Sequence, residues 1–213
     1  MAVDKSYALT TRDRVIDFLE LKNLSATDNT VIDVFIETST EFIENYCQRR
    51  FMQTIYTNEI YDGDGSEFIR LEQYPVISTE TVSMSRRSSI SNEDDWSSID
   101  SEDYFVDYNP GIIEYVKGLK FQNYPRHYRV SYTAGFDFDN VTTFLADTVA
   151  GDVEYACWKL CAVMWNRRKA DPSVQSEKLG NYAVTYRKFV NENTEISSIL
   201  DKYARVSLGG LRN

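Results

Sequence analysis

One histidine, three cysteines and 33 acidic residues are the side chains of this 213-residue sequence from which acid–base, thiolate or metal chemistry could be built. His127 would have to anchor any imidazole-based triad or His-ligated zinc site. It lies between Tyr124-Pro125-Arg126 and Tyr128, which read as the beginning of a strand, and is expected to be a surface or strand-edge residue. Cys157 and Cys161 are four residues apart, so on a helix their sulfurs share a face. A closed thiolate site needs four ligands, and Cys47 is the only other thiol, so buried small core residues are the expectation. Asp62-Gly63-Asp64-Gly65 has the outline of a calcium loop, but its third ligand position holds Ser66 and its twelfth residue is Gln73, where a bidentate Glu is needed. A hairpin turn accounts for the glycines without a metal. Glu93, Asp94, Asp95, Asp100, Glu102 and Asp103 could supply a carboxylate pair for hydrolysis. They share residues 85–103 with seven serines, which reads as a solvated loop and not as the rigid scaffold a catalytic pair requires. No glycine-rich phosphate cradle with a following lysine occurs. The expectation is no catalytic residue, no metal site and no cofactor.

The elements that would position these residues follow from periodicity. Thr10-Thr11-Arg12-Asp13 can cap a first helix with Val15, Phe18 and Leu19 on its apolar face. After a loop at 23–28, a second helix capped by Thr27, Asp28 or Thr30 runs to Cys47. Val31, Phe35, Thr38, Phe42 and Tyr46 form one row of it, with Ile32, Ile36, Ser39 and Ile43 alongside. From Phe51 the period becomes two: Ile55, Thr57, Glu59 and Tyr61 alternate with Tyr56, Asn58 and Ile60. Phe68 to Leu71 is expected to return antiparallel to this strand across the Asp-Gly turn, with Pro75 ending it and a further strand over Val76–Met84. Residues 85–103 are read as a mobile acidic loop pinned by Trp96 and Ile99. Strands follow at Tyr104–Asp107, Ile112–Val116 and Tyr128–Thr133, with a turn at Asn109-Pro110-Gly111.

A long helix is expected over Phe144–Lys169, ~39 Å at 1.5 Å per residue. Its apolar stripe is Leu145, Val149, Val153, Ala156, Leu160, Val163 and Met164, and Gly151 is its weak point. Tyr182–Phe189 reads as a short strand or arm, Glu195–Tyr203 as a last helix, and Ser207–Asn213 as a flexible tail. The fold class is therefore α+β: a helical bundle with an inserted antiparallel β-region. The divisions are 1–50 and 137–203 for the helical parts, 51–136 for the insertion and 204–213 for the tail.

Composition narrows the partners. The net charge of −10 and pI near 4.7 oppose tight, sequence-independent binding to phosphate backbones, while permitting DNA to pass a surface without adhering. The odd, irregular cysteine count argues against a disulfide-stapled secreted fold. Neither a signal-peptide pattern at Met1–Lys5 nor an apolar run of ~18 residues is present, so no membrane role is expected. Fifteen tyrosines suit surfaces that pack and still present a hydroxyl, as subunit contacts do, although strands use them equally.

The order of motifs resembles the head–tail connector family of tailed bacteriophages, also called adaptor or head-completion proteins. The resemblance runs from Leu9 to Tyr203. It is carried by the helix after Leu9-Thr10-Thr11 and by Phe42-Ile43-Glu44-Asn45-Tyr46-Cys47 with Arg49-Arg50-Phe51. The Asp-Gly turn, Leu71 with Tyr74-Pro75-Val76, the Gly111 hairpin, Tyr132-Thr133-Ala134-Gly135-Phe136 and the long basic-ended helix complete it. The sequence departs from the family pattern in its long acidic 85–103 segment and in lacking a proline before the long helix.

The resemblance implies a structural subunit of the virion neck, assembled in the host cytoplasm, and no enzyme. Such subunits form a homo-oligomeric ring, usually dodecameric, under the portal protein, with DNA only as cargo in the channel and a stopper or tail-completion protein below. It also implies that the C-terminal segment reaches the portal, making Tyr203, Arg205, Val206, Leu208, Leu211 and Arg212 the contact candidates. A stopper or tail-completion role is the alternative within the neck, and a metal-dependent hydrolase is the alternative of another class.

Overall fold

The computed structural model describes residues 7–88, 95–136, 151–170 and 194–204. The chain divides into two compact units, one helical (1–52 with 137–213) and one of β-structure (53–136).

In the helical unit, α1 spans Arg12–Phe18 and α2 spans Ala26–Cys47. Thr11 occupies the N-cap of α1 but makes no side-chain cap bond. The cap of α2 is Ser25, one turn ahead of the sequence expectation. Its hydroxyl accepts from the Asp28 N–H, and the Asp28 carboxylate accepts from the Ser25 N–H. This reciprocal capping box draws 26–28 into the helix and out of the expected loop. The most deeply buried row of α2 is Ile32, Ile36, Ser39, Ile43 and Cys47, joined by Phe35; Phe42 and Tyr46 of the neighbouring row are half-buried. α2 ends where Gln48 turns left-handed (φ +55°), a stop usually made by glycine.

α3 (Gly151–Ala170) packs on α2 through Val153, Ala156, Cys157, Leu160, Cys161 and Met164. Val163 of the expected stripe is only half-buried. α4 (Thr194–Tyr203) buries Ile196 and Leu200 against α2 and α3. The expected beginning of the long helix at 144–150, the arm at 182–189 and the tail at 207–213 lie outside the described residues.

The β unit holds two antiparallel sheets. One has the order β1-β7-β3-β4, formed by Thr54–Tyr61, Tyr128–Ala134, Ser83–Arg87 and Trp96–Ile99. The other has the order β2-β6-β5, formed by Phe68–Arg70, Ile112–Tyr115 and Tyr104–Asp107. Ile69, Leu71, Met84, Ile113, Tyr128 and Val130 form the centre of their common core.

Three expectations are corrected here. First, Asp62–Gly65 does not fold β2 back on β1: β1 pairs with β7 and β2 with β6, so the turn carries the chain from one sheet to the other. Gly63 is needed because a Cβ there would lie 1.8 Å from the Gln122 carbonyl oxygen. Second, Val76 makes only an isolated bridge to Ala134, and the strand expected over 76–84 begins at Ser83. Third, the 85–103 segment is not a continuous loop. Its two ends pair as the antiparallel strands β3 and β4, followed by a short 3-10 turn at Ser101–Asp103; its tip, 89–94, lies outside the described residues. A bulge at Asn58 (φ +55°) also breaks the alternation of β1, so Tyr56, Glu59 and Tyr61 turn inward while Ile55 is left 75% exposed.

Candidate functional site

The residues with chemical potential are placed in structural roles. His127, immediately before β7, is 6% exposed, so the surface expectation fails although its position at the strand's edge holds. Its Nε2 meets Gln122 Oε1 at 3.1 Å, and its backbone N–H donates to the Tyr61 carbonyl. Burial, with Arg86 and Arg87 nearby, holds its pKa below the ordinary value. Cys47, Cys157 and Cys161 are all buried, as expected. Burial raises Cys47 to about 12, and its thiol donates to Leu200 O. The neighbouring Cys161 and burial push Cys157 up as well. Cys47 and Cys157 are thus protonated packing groups, the opposite of reactive thiolates.

Asp62 accepts from the Arg126 N–H at 2.6 Å, tying the turn before β7 to its own loop, and Asp64 accepts from the Ser66 N–H at 2.8 Å within that loop. Asp100 caps the 3-10 turn by accepting from the Glu102 N–H. Among the described residues no three His, Cys, Asp or Glu side chains gather as a metal site.

The helical unit is tied together by buried charge. Glu154 of α3 accepts from Thr10 Oγ1 at 2.8 Å and from Arg14 at 2.6 Å, and Trp158 Nε1 donates to Thr10 Oγ1. Arg12 grips the buried Asp33 with two nitrogens, and Arg168 reaches Asp28 at 2.7 Å. Such pairs cost desolvation, so their gain is geometric: each admits one relative placement of the helices it joins.

Tyr203 is the one portal-contact candidate among the described residues; Arg205, Val206, Leu208, Leu211 and Arg212 lie outside them. Its hydroxyl donates to Asp152 at 2.7 Å, and its ring meets the buried Phe51 edge-on at 5.8 Å. Lys202 also reaches Asp152 at 2.9 Å. Burial would raise the Asp152 pKa, but the Tyr203 and Lys202 contacts outweigh it and the net shift is downward. Tyr46 donates to Asp201 at 2.7 Å, a bond that lifts its own pKa to about 12. The last turn of α4 is therefore clamped to α2 and α3 immediately before residue 205.

In the β unit, Tyr61 and Tyr132 both donate to Glu59 Oε2, at 2.6 and 2.7 Å. Their hydroxyls accept in turn from the Glu72 and Gln73 N–H groups, fixing the segment after β2. The guanidinium groups of Arg87 and Arg129 stand over the Trp96 ring, 5.3 and 4.9 Å from its centroid, which is how this side chain pins the acidic segment. A cleft of about 390 Å³ is lined by Arg86, Asp100, Asp103, Tyr115, Lys120 and Tyr128 among others. Its charges are of both signs, with no nucleophile–base pair. Phe68 and Phe105 stand exposed on the outer face of the small sheet. The sequence reading did not single them out; their signal is a repeated triplet, Phe-Ile-Arg and Phe-Val-Asp, in two short strands.

The geometry is thus one of packing surfaces and clamps. A family model described as head completion protein matches residues 8–206. Among curated proteins no match is found. Among solved structures, a chain in the neck of an empty GTA particle computed with C6 symmetry aligns with TM-score 0.62 and 12% identity, covering 100% of this chain and 97% of that one. A chain in the neck of the native particle, computed with C12 symmetry, aligns at 0.56 and 13% with the same coverage. A chain from the virion of the native gene transfer agent aligns at 0.57 and 13%, again over 100% and 97%. At these identities the likeness to the three chains is one of fold.

Proposed function

The chain belongs to the head completion protein family, and from that premise we propose that it is a structural subunit of a particle neck that works as a ring of identical copies. The observation that carries this reading is the match over nearly the whole chain, 8–206, which takes in both compact units. The fold shared with chains of GTA necks, in particles computed with C6 and C12 symmetry, supports it. In this reading the ring sits under the portal, continues the DNA channel and offers its other face to a stopper or tail component. No step of that work is catalytic, in keeping with buried thiols and carboxylates bonded to loop backbone.

The clamp on Tyr203 gives the C-terminal segment a fixed root. Beyond it, Arg205, Val206, Leu208, Leu211 and Arg212 present two cations and three aliphatic groups to the portal. Co-sedimentation with the portal tests this. Full-length chain is expected to pellet with the portal, and chain lacking residues 204–213 to lose at least ~10-fold in affinity, about 1.4 kcal/mol. Equal pelleting of the two would reject the docking role of the segment. Absence of the chain from the neck of purified particles would reject the proposal as a whole.

A further inference from the structure

Two strand edges of the β unit, without a backbone partner at 68–70 and 104–107 among the described residues, carry triplets of matching pattern and opposite charge. β2 reads Phe68-Ile69-Arg70 and the last three residues of β5 read Phe105-Val106-Asp107. They are the outer strands of the three-stranded sheet, each antiparallel to β6 and hence parallel to each other. Phe68 and Phe105 both lie opposite Glu114, while Arg70 and Asp107 both lie opposite Ile112. Two rows therefore cross the outer face, Phe-Glu-Phe and Arg-Ile-Asp. Phe68 is 50% and Phe105 70% exposed, and Arg70 and Asp107 are exposed beside them.

The backbone has the matching phase. Bonds from Leu71 N–H to Gly111 O (2.8 Å) and from Tyr115 N–H to Glu67 O (3.0 Å) mean that the odd-numbered residues of β2 bond to β6. The N–H and C=O groups of Phe68 and Arg70 then point to the open edge, where Phe68 O accepts from the Ser66 hydroxyl. Across β6 the phase alternates, so Tyr104 and Val106 turn their groups outward from β5. Tyr108, next in that series, does so too and accepts from the Val76 N–H at 2.7 Å, so the chain itself covers this edge from Tyr108 on and leaves only 104–107 for a partner strand.

Consider β5 of one copy laid parallel to β2 of the next. A parallel ladder bonds one residue to the two flanking its opposite number. With Val106 opposite Ile69, Val106 N–H meets Phe68 O and Arg70 N–H meets Val106 O, which uses the outward groups. The same register places Phe105 beside Phe68 and Asp107 beside Arg70 on the outer face, with Val106 beside Ile69 on the inner one. A slip of one residue would turn the apolar set to the wrong face. Two-fold pairing of β5 with β5 or β2 with β2 about the central residue would set Phe105 opposite Asp107, or Phe68 opposite Arg70. Only the head-to-tail arrangement joins aromatic to aromatic and acid to base.

We propose that β5 of each copy pairs in parallel with β2 of its neighbour, joining the three-stranded sheets of successive copies into one. This rests on the ring reading above and names the contact that builds the ring: a heterologous interface that closes on itself and leaves no edge open.

Particles assembled with the Arg70→Cys/Asp107→Cys double variant as sole copy test the geometry, since the three native thiols are buried. Mild oxidation is expected to give a ladder of covalent multimers on non-reducing gels, absent from either single variant. Arg70→Asp and Asp107→Arg, each alone, are expected to lower incorporation into particles at least ~10-fold, and the two together to restore it. If double-cysteine chains enter the neck and stay monomeric on the gel, the edge contact is overturned while the ring reading stands. If the single charge reversals incorporate as well as wild type, the edge contact is overturned likewise. If wild-type chain is itself absent from the neck, both readings fall.

Discussion

Glu59 shows how this chain uses polar side chains: one carboxylate oxygen receives two tyrosine hydroxyls, and those hydroxyls receive two backbone N–H groups. Burial is the larger cause of the raised pKa values of Tyr61 and Tyr132, so both hydroxyls stay protonated donors. His127 is the sequence's one histidine, and folding alters its titration. Burial first, then Arg86 and Arg87, disfavour its protonated form, so its folded-state pKa lies below its unfolded value of about 6.5. On acidification the unfolded chain takes up the proton first. The histidine's contribution to stability is then present above about pH 6.5 and is lost as pH falls below it toward the folded pKa. Thermal melting of wild type is expected to drop between pH 7.5 and 5.5, by about 2–4 °C for each 1 kcal/mol. His127→Gln is expected to shrink that drop. An unchanged pH dependence in the variant would show that the histidine is not its source.

At the level of elements, Gly63 carries the crossing between sheets. Its N–H donates to Tyr124 O, and a Cβ would strike the Gln122 carbonyl at 1.8 Å. Gly63→Ala is therefore expected to cost about 3 kcal/mol or more, because backbone must move to admit the methyl group. Urea denaturation measures it, and a midpoint unchanged from wild type would mean that the crossing is looser than drawn. The same glycine explains what the sequence could and could not reveal. α2, β5, β6, β7 and the inserted order of helical and β parts were legible because 3.6- and 2-residue periods are local signals. The partner of β2 was not, since Asp-Gly suits a hairpin and a sheet-to-sheet crossing equally, and the choice between β1 and β6 is made by distant contacts. β3 and β4 were hidden by composition: seven serines and six acids look solvated, whereas Met84 and Ile99 pair inward and Trp96 is held by two arginines. Ser25 was passed over because three other capping residues follow it within five positions, and only the reciprocal bond with Asp28 distinguishes it. Of the candidate site, Tyr203 was legible as the end of a helix. The edge triplets were not, because their meaning depends on both lying opposite the same residues of β6.

At the scale of the whole molecule, charge decides how the chain meets nucleic acid. Binding to a duplex without sequence preference requires cations that displace condensed counterions, and each phosphate contact steepens the loss of affinity with salt. This chain has 23 Lys and Arg against 33 Asp and Glu, and several of its arginines are already committed. Arg12, Arg14 and Arg168 are spent on Asp33, Glu154 and Asp28, and Arg87 and Arg129 flank Trp96. What remains is a net charge of −10, which repels a polyanion by an amount that salt screens. In the proposed ring, such subunits would let DNA move past because no copy holds it. Fluorescence anisotropy of labelled duplex DNA is expected to show no binding at about 10 µM chain and about 0.15 M salt, below the affinity of ordinary non-specific binders. Raising salt then leaves the signal flat. A saturable increase that collapses steeply with salt would instead reveal a basic surface working against the overall charge, and with it a ring that grips its cargo.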